Sequence, residues 1–206
     1  LSIDIGASSG RHILSHIENG KLVLEEVFRF ENGMEEKDGH LIWDYKKLFS
    51  NIIEGMKECK KIGKIPETMG IDTWGVDYAL LDKDGKIIHE PYHYRDERTK
   101  NALEKAFSKM NAEEIYAETG NQIMNINTLF QLICDENKDK AETLLFMPDL
   151  FAYLLTGKKV CEMSIASTSQ MLDMTNKSWS KKLLDAFDIK EELFPTIKES
   201  ATVNGE

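Results

Sequence analysis

Cysteine is scarce in this chain, and the little there is forms no pattern. Cys59, Cys134 and Cys161 are odd in number and far apart, with no CxxC pair. Neither a zinc site nor a disulfide framework is signalled, and reduced thiols in a cytoplasmic protein are the plain reading. Long apolar runs are missing too; none reaches the ~18 residues of a membrane-spanning helix. The opening residues read as a strand rather than as the basic-then-apolar segment of a secretion signal. Positive charge is in deficit, 26 Lys and Arg against 36 Asp and Glu, for a formal charge of −10. That argues against nucleic acid or an anionic membrane as partner. It leaves a nucleotide open, because one loop can be locally positive in an acidic protein. There is no internal repeat, low-complexity tract or Pro/Gly-rich linker, and His12, His16, His40, His89 and His93 show no ligand spacing.

What remains is the composition of a folded chain with a real core: 206 residues, 41% hydrophobic and 30% charged. That length allows one large domain, or a domain with a small appendage. The apolar run from Leu1 into Asp4, Arg11–Ile17 and Lys21–Phe30 read as three antiparallel strands, the last two joined at Glu18-Asn19-Gly20, where Asn-Gly is a strong hairpin signal. Asn32–His40 reads as a polar loop. Asp44 is a good N-cap for a helix over Tyr45–Lys61 that stops near Gly63. Strands are expected at Thr68–Asp72, Val76–Leu81 and Ile87–His89. From about Arg98 helices dominate: Lys100–Met110, Ala112–Thr119, Thr128–Glu136, one opening at Met147-Pro148-Asp149 and ending at Gly157, and Ser180–Phe187. The order strand-strand-strand-helix-strand is that of a ribonuclease-H-like α/β core, shared with actin-like ATPases. The segment from about 98 to 190 is then a helical insertion on that core. Leu1 starts directly in a strand and the last ten residues complete no element, so a longer parent chain is expected.

Three stretches carry chemistry. The first is Gly6-Ala7-Ser8-Ser9-Gly10-Arg11, a turn between strands. Small residues let a ligand approach the backbone, successive N–H groups form an anion-binding concavity, and Ser8, Ser9 and Arg11 add donors. Asp4 just before it is placed to hold a hydrated Mg²⁺. An ordinary hairpin with a solvated Asp fits the same residues. The turn is not a Walker A loop, because Gly-x4-Gly-Lys-Ser/Thr is absent. The second stretch, Asp72-Thr73-Trp74-Gly75-Val76-Asp77-Tyr78, lies between strands, where ligand-binding loops gather. Gly75 admits a ligand, Asp72 and Asp77 accept hydrogen bonds from hydroxyls, and Trp74 is either a pocket wall or core. The third, Tyr94-Arg95-Asp96-Glu97-Arg98-Thr99, is a solvated charged turn or the wall of a polar cleft.

Together these stretches resemble the FGGY family of carbohydrate kinases. Asn127-Thr128-Leu129-Phe130-Gln131-Leu132, Met147-Pro148-Asp149 leading to Leu155-Thr156-Gly157, and Ala166-Ser167-Thr168-Ser169-Gln170 add to the likeness, which covers essentially the whole chain. Most FGGY members have Gly-Thr in the first turn. The wording Ala-Ser-Ser-Gly-Arg, with Asp-Thr-Trp-Gly-Val-Asp, is that of the members acting on L-rhamnulose. The resemblance implies transfer of the γ-phosphoryl group of ATP to the 1-hydroxyl of this ketose, with Mg²⁺. By the same implication Ala7, Ser8, Ser9, Gly10 and Arg11 hold ATP phosphates, Asp4 holds the metal through water, and Gly75 contacts the ketose, with Asp77 and Tyr94 at the pocket wall. The family's general-base Asp and adenine pocket belong to a second lobe that no segment here matches. The 206 residues are then the sugar-binding N-terminal lobe of a two-lobe kinase, inactive alone.

Rival readings keep the fold and change the chemistry. Another FGGY kinase would act on xylulose, fuculose, gluconate or glycerol. A ribonuclease-H-like nuclease would use Asp4 and Asp72 as metal carboxylates, but needs further acidic residues and a basic surface. An actin-like scaffold would bind nucleotide, polymerise and ignore sugars.

Overall fold

Ile3 and Ile5 alternate with Ser2 and Asp4, and strand β1 (Ser2–Ile5) buries both isoleucines on one side. The structure is a computed structural model that describes all 206 residues. The chain divides into two compact units, Leu1–Glu35 with Trp43–Trp74, and Glu36–Ile42 with Gly75–Glu206.

In the first unit, β1 pairs antiparallel with β2 (Ser9–Glu18), which pairs antiparallel with β3 (Lys21–Glu31). Asn19 and Gly20, with φ of 49° and 74°, make the tight turn whose twist suits a hairpin. β2 starts two residues earlier than its apolar pattern suggests. Gly10 and Arg11 are therefore strand residues, and the first turn shrinks to Gly6–Ser8.

The expected loop before the helix holds a small ribbon instead, β4 (Glu35–Lys37) with β5 (His40–Ile42). Asp38 and Gly39 turn it with φ of 52° and 81°; this Asp-Gly pair is a hairpin signal that the surrounding polarity masked.

Helix α1 (Tyr45–Lys61) has the expected bounds, with the Asp44 carboxylate accepting from Lys47 N–H at 2.9 Å. Its buried face, Leu48, Ile52, Gly55 and Cys59, follows helical spacing. Gly55 lies against the imidazole of the fully buried His12, whose Nε2 is 3.1 Å from the Ile52 carbonyl. β6 (Gly70–Thr73) then pairs parallel with β1. The sheet order β3-β2-β1-β6, two antiparallel pairings and one parallel, is that of a ribonuclease-H-like core.

In the second unit, β7 (Tyr78–Leu81) pairs antiparallel with β8 (Thr143–Phe146). β8 is missing from the sequence reading because a short continuous apolar run does not distinguish strand from buried helix. Ile87–His89 contributes a single bridge, Ile87 to Leu81. The helices are α2 (Ala102–Phe107), α3 (Ala112–Thr119), α4 (Thr128–Leu132), α5 (Met147–Thr156), α6 (Met163–Ala166) and α7 (Lys181–Ala186). A capping box of Asn111 and Glu114 starts α3. Gly120 and Gly157, both at positive φ, end α3 and α5. Short ladders join β9 (Cys161–Glu162) to β12 (Ile197–Lys198), and β10 (Leu172–Asp173) to β11 (Ser178–Trp179). Phe130, Phe146, Leu80, Leu129 and Ile115 are fully buried in this unit's core. No helix is long and apolar enough to cross a membrane.

Candidate active site

The first turn is held from below. Gly6 N–H donates to the Ser9 carbonyl at 2.8 Å, Asn32 N–H to the Ser8 carbonyl at 3.0 Å, and the Asn32 side-chain amide to the Gly6 carbonyl at 2.8 Å. Ala7 and Ser8 at its crest are exposed, and neither their N–H groups nor the Ser8 hydroxyl donate within the chain. These donors suit an anion such as a phosphate oxygen. Gly10 answers to packing: a Cβ there would lie 2.1 Å from Cζ of Phe30.

Asp4 and Arg11 face each other across the β1–β2 pairing and form an ion pair, with Nε and Nη2 of Arg11 both 2.8 Å from Asp4 Oδ2. Both side chains are nearly half exposed, so the pair contributes little to stability. On the other side, Asp72 stands beside Asp4 across the parallel β1–β6 register. Two neighbouring carboxylates, Asp4 half-buried and Asp72 exposed, are hard oxygen donors of the kind that hold Mg²⁺ through its own waters. No group of three or more His, Cys, Asp or Glu side chains forms a metal cage. The residues therefore fit a water-rich cation and not a fully protein-ligated one.

Trp74 ends the first unit's share of the second stretch. It is half-buried and packs on the fully buried Trp43, ring centroids 3.9 Å apart. In the second unit the expected strand at Val76 is replaced by a tighter feature. Asp77 N–H donates to the Gly75 carbonyl at 2.9 Å, and Val76 between them has φ of 69°. This is a γ-turn with a β-branched residue in the left-handed region, a conformation that survives only where the surroundings impose it. Three side chains do so. Val76 N–H donates to Thr168 Oγ1 at 3.1 Å, and the Val76 carbonyl accepts from Thr128 Oγ1 at 2.7 Å and from Gln131 Nε2 at 3.4 Å. Gly75 leaves little room, since a Cβ there would meet Thr168 at 3.1 to 3.3 Å.

Asp77 is fully buried. Its Oδ1 accepts from Gln131 Nε2 at 2.7 Å and its Oδ2 from Tyr94 N–H at 3.2 Å. The structure thus brings Gly75, Asp77 and Tyr94 together. Tyr94 stacks beside His93, whose ring nitrogen accepts from Arg95 N–H at 3.0 Å. Burial and the nearby Arg95 push the His93 pKa down to about 4. The charged run Tyr94–Thr99 turns partly inward. Asp96 is buried, and although burial raises its pKa, hydrogen bonds from Leu41 and Arg98 N–H and from His40 hold it below the ordinary carboxylate value. Arg98 donates to Gln131 Oε1 at 2.7 Å.

Gln131, Thr128, Thr168 and Arg98 received no individual role from the sequence. A hint was there: a glutamine between Phe130 and Leu132, in a helix whose every residue is buried, needs buried partners.

The family model for the N-terminal domain of the FGGY family of carbohydrate kinases matches residues 1–206. The chain is 43% identical over 209 residues to a rhamnulokinase of Enterococcus faecalis, covering all of this chain and 42% of that one. To a rhamnulokinase of Bacteroides thetaiotaomicron it is 44% identical over 198 residues, 94% of this chain and 41% of the relative. The chain thus spans about four tenths of the length of these curated relatives. Among solved structures, xylulose kinase from Rhodospirillum rubrum superposes with a TM-score of 0.83 at 18% identity, over 98% of this chain and 44% of that one. Gluconate kinase from Lactobacillus acidophilus gives 0.81 at 22% identity, over 99% and 42%. These likenesses bear out the expected α/β lobe of a sugar kinase, and the chain belongs to the FGGY family of carbohydrate kinases.

Proposed function

We propose that these residues form the sugar-binding N-terminal lobe of an ATP-dependent kinase that phosphorylates the 1-hydroxyl of L-rhamnulose. The observation that carries the reading is the over-determined turn at Gly75–Val76–Asp77. Three side chains hold Val76 at φ of 69°, and strain of this kind is kept where backbone must be presented in one geometry. In this proposal Gly75 offers its backbone to the ketose, and Asp77 and Tyr94 form the wall beside it. Identity near 43% to rhamnulokinases supports this ketose over xylulose, gluconate or glycerol.

Ala7, Ser8 and Ser9 would donate to ATP phosphates and Arg11 would add a cation, while Gly10, a strand residue packed on Phe30, would keep the turn in place. Asp4 would hold Mg²⁺ through water, and that ion would supply neutralisation of charge on the phosphates. The Asp4–Arg11 pair links the two roles, because Arg11 Nε and Nη2 both hold Asp4 Oδ2. A general base and an adenine pocket would come from a second lobe beyond residue 206, in a cytoplasmic enzyme.

The test is ADP release from the complete gene product and from residues 1–206 alone, with L-rhamnulose, ATP and Mg²⁺. The complete product is expected to turn over and the 206 residues are not. Turnover by the 206 residues alone would sink the two-lobe assignment.

A further inference from the structure

A buried amide can face either way unless a neighbour decides for it. Gln131 is fully buried in α4, and its two ends have different partners. Oε1 accepts from Arg98 Nη2 at 2.7 Å; Nε2 donates to Asp77 Oδ1 at 2.7 Å and to the Ile126 carbonyl at 2.8 Å, with the Val76 carbonyl at 3.4 Å. A guanidinium has donors only, so it forces the oxygen of Gln131 toward itself and the NH₂ toward the carboxylate and carbonyls.

Arg98 is in turn fixed. Its side chain is 7% exposed, its Nη1 lies 3.5 Å from Asp96 Oδ1, and its guanidinium sits 4.1 Å from the Tyr92 ring centroid. Its Nε and Nη1 have no hydrogen-bond partner; it is held by the Gln131 hydrogen bond, the Asp96 charge and the Tyr92 face, with the buried Tyr78 and the Asp135 charge also acting on it. Burying an arginine whose Nε and Nη1 make no hydrogen bond, Nη1 having only the 3.5 Å ion-pair contact with Asp96, is a costly route to stability. It makes sense if the orientation it imposes is needed.

We propose that Gln131, locked in one amide orientation by Arg98, is a positioning residue that fixes the Gly75–Val76–Asp77 turn for the ketose. This rests on the reading that the turn contacts the sugar. Gln131 itself need not touch substrate; it ties Asp77 and the Val76 carbonyl to one place.

The experiment measures KM for L-rhamnulose and for ATP separately in the complete gene product. Gln131→Glu keeps the acceptor toward Arg98 but turns an oxygen on Asp77 and Ile126. Arg98→Met releases the amide to flip. Both are expected to raise the ketose KM about tenfold or more, with the ATP KM within about twofold. Adding Asp77→Asn to Gln131→Glu restores a donor–acceptor pair and is expected to recover part of the ketose KM. Thr128→Val, nearly isosteric, removes the 2.7 Å bond to the Val76 carbonyl and carries the test should the charged-site variants fail to fold.

A ketose KM left unchanged, or two KM values rising together, would overturn the positioning role while leaving the kinase assignment standing. Loss of kcat alone, the mark of a smaller folded fraction, would overturn it as well. Absence of sugar-dependent ADP from the native protein would remove the assignment, and this inference with it.

Discussion

Asp149 offers a quantitative check on the energetics of the second unit. It lies in the first turn of α5, where a carboxylate is ordinarily welcome. Here it is buried, its two oxygens share one N–H, that of Glu162, at 3.3 Å each, and the Glu162 carboxylate is close by. Burial, with the Glu162 charge adding to it, pushes its pKa from 3.8 up to about 7. The folded state therefore binds a proton that the unfolded chain has already released. Stability from this group is complete below its unfolded pKa of 3.8 and is withdrawn as pH rises to 7, by about 4 kcal/mol in all. Between about pH 5 and about pH 8 the loss is about 3 kcal/mol. Asp149→Asn keeps an oxygen for the Glu162 N–H and cannot ionise. Its stability relative to the native chain should therefore improve by about that amount between the two pH values, measured by urea unfolding followed by circular dichroism. A difference between variant and native chain that is the same at both pH values would refute the assignment of a neutral, buried Asp149.

Three further outcomes follow from other parts of the molecule. His93, depressed to about 4, acts in the opposite direction: its contribution is present above pH 6.5 and lost as pH falls toward 4. His93→Asn should flatten the acid side of a melting-temperature profile, and an unchanged profile would count against this. Gly55→Ala in α1 ought by helix propensity alone to stabilise by about 1 kcal/mol. Its Cβ would lie 2.4 Å from the buried His12 ring, so a destabilisation of about 1–3 kcal/mol is expected instead, read by urea midpoint. Arg11→Ala should raise the ATP KM of the complete gene product about tenfold, leave the ketose KM alone, and change stability by less than about 1 kcal/mol, since the Asp4 pair is solvated.

The first unit was the more legible in sequence because its signals are local. Asp44 and the helical spacing of Leu48, Ile52, Ile53 and Met56 mark α1, and Asn19-Gly20 marks the β2–β3 turn. Gly10 was legible as a glycine but not as to cause; the Phe30 ring that requires it is twenty residues away. The second unit was read less well where long-range pairing decides. Val76 looked like strand because valine favours strands, and the γ-turn is imposed by Thr128, Gln131 and Thr168, which are distant in sequence. The charged run Tyr94–Thr99 reads as a solvated turn or a polar cleft wall, and the partners that draw Asp96 and Arg98 inward, Leu41 and Gln131, are distant in sequence. Local periodicity carries no information about such partners.

The central claim concerns the ketose, and ADP release from the complete gene product across a panel of ketoses and polyols tests it most directly. The account predicts strong preference for L-rhamnulose, lost in Gly75→Leu, whose side chain would run into Thr168 and the presented backbone, and in Asp77→Ala. Preference for xylulose, gluconate or glycerol, or activity that survives both substitutions, would contradict it.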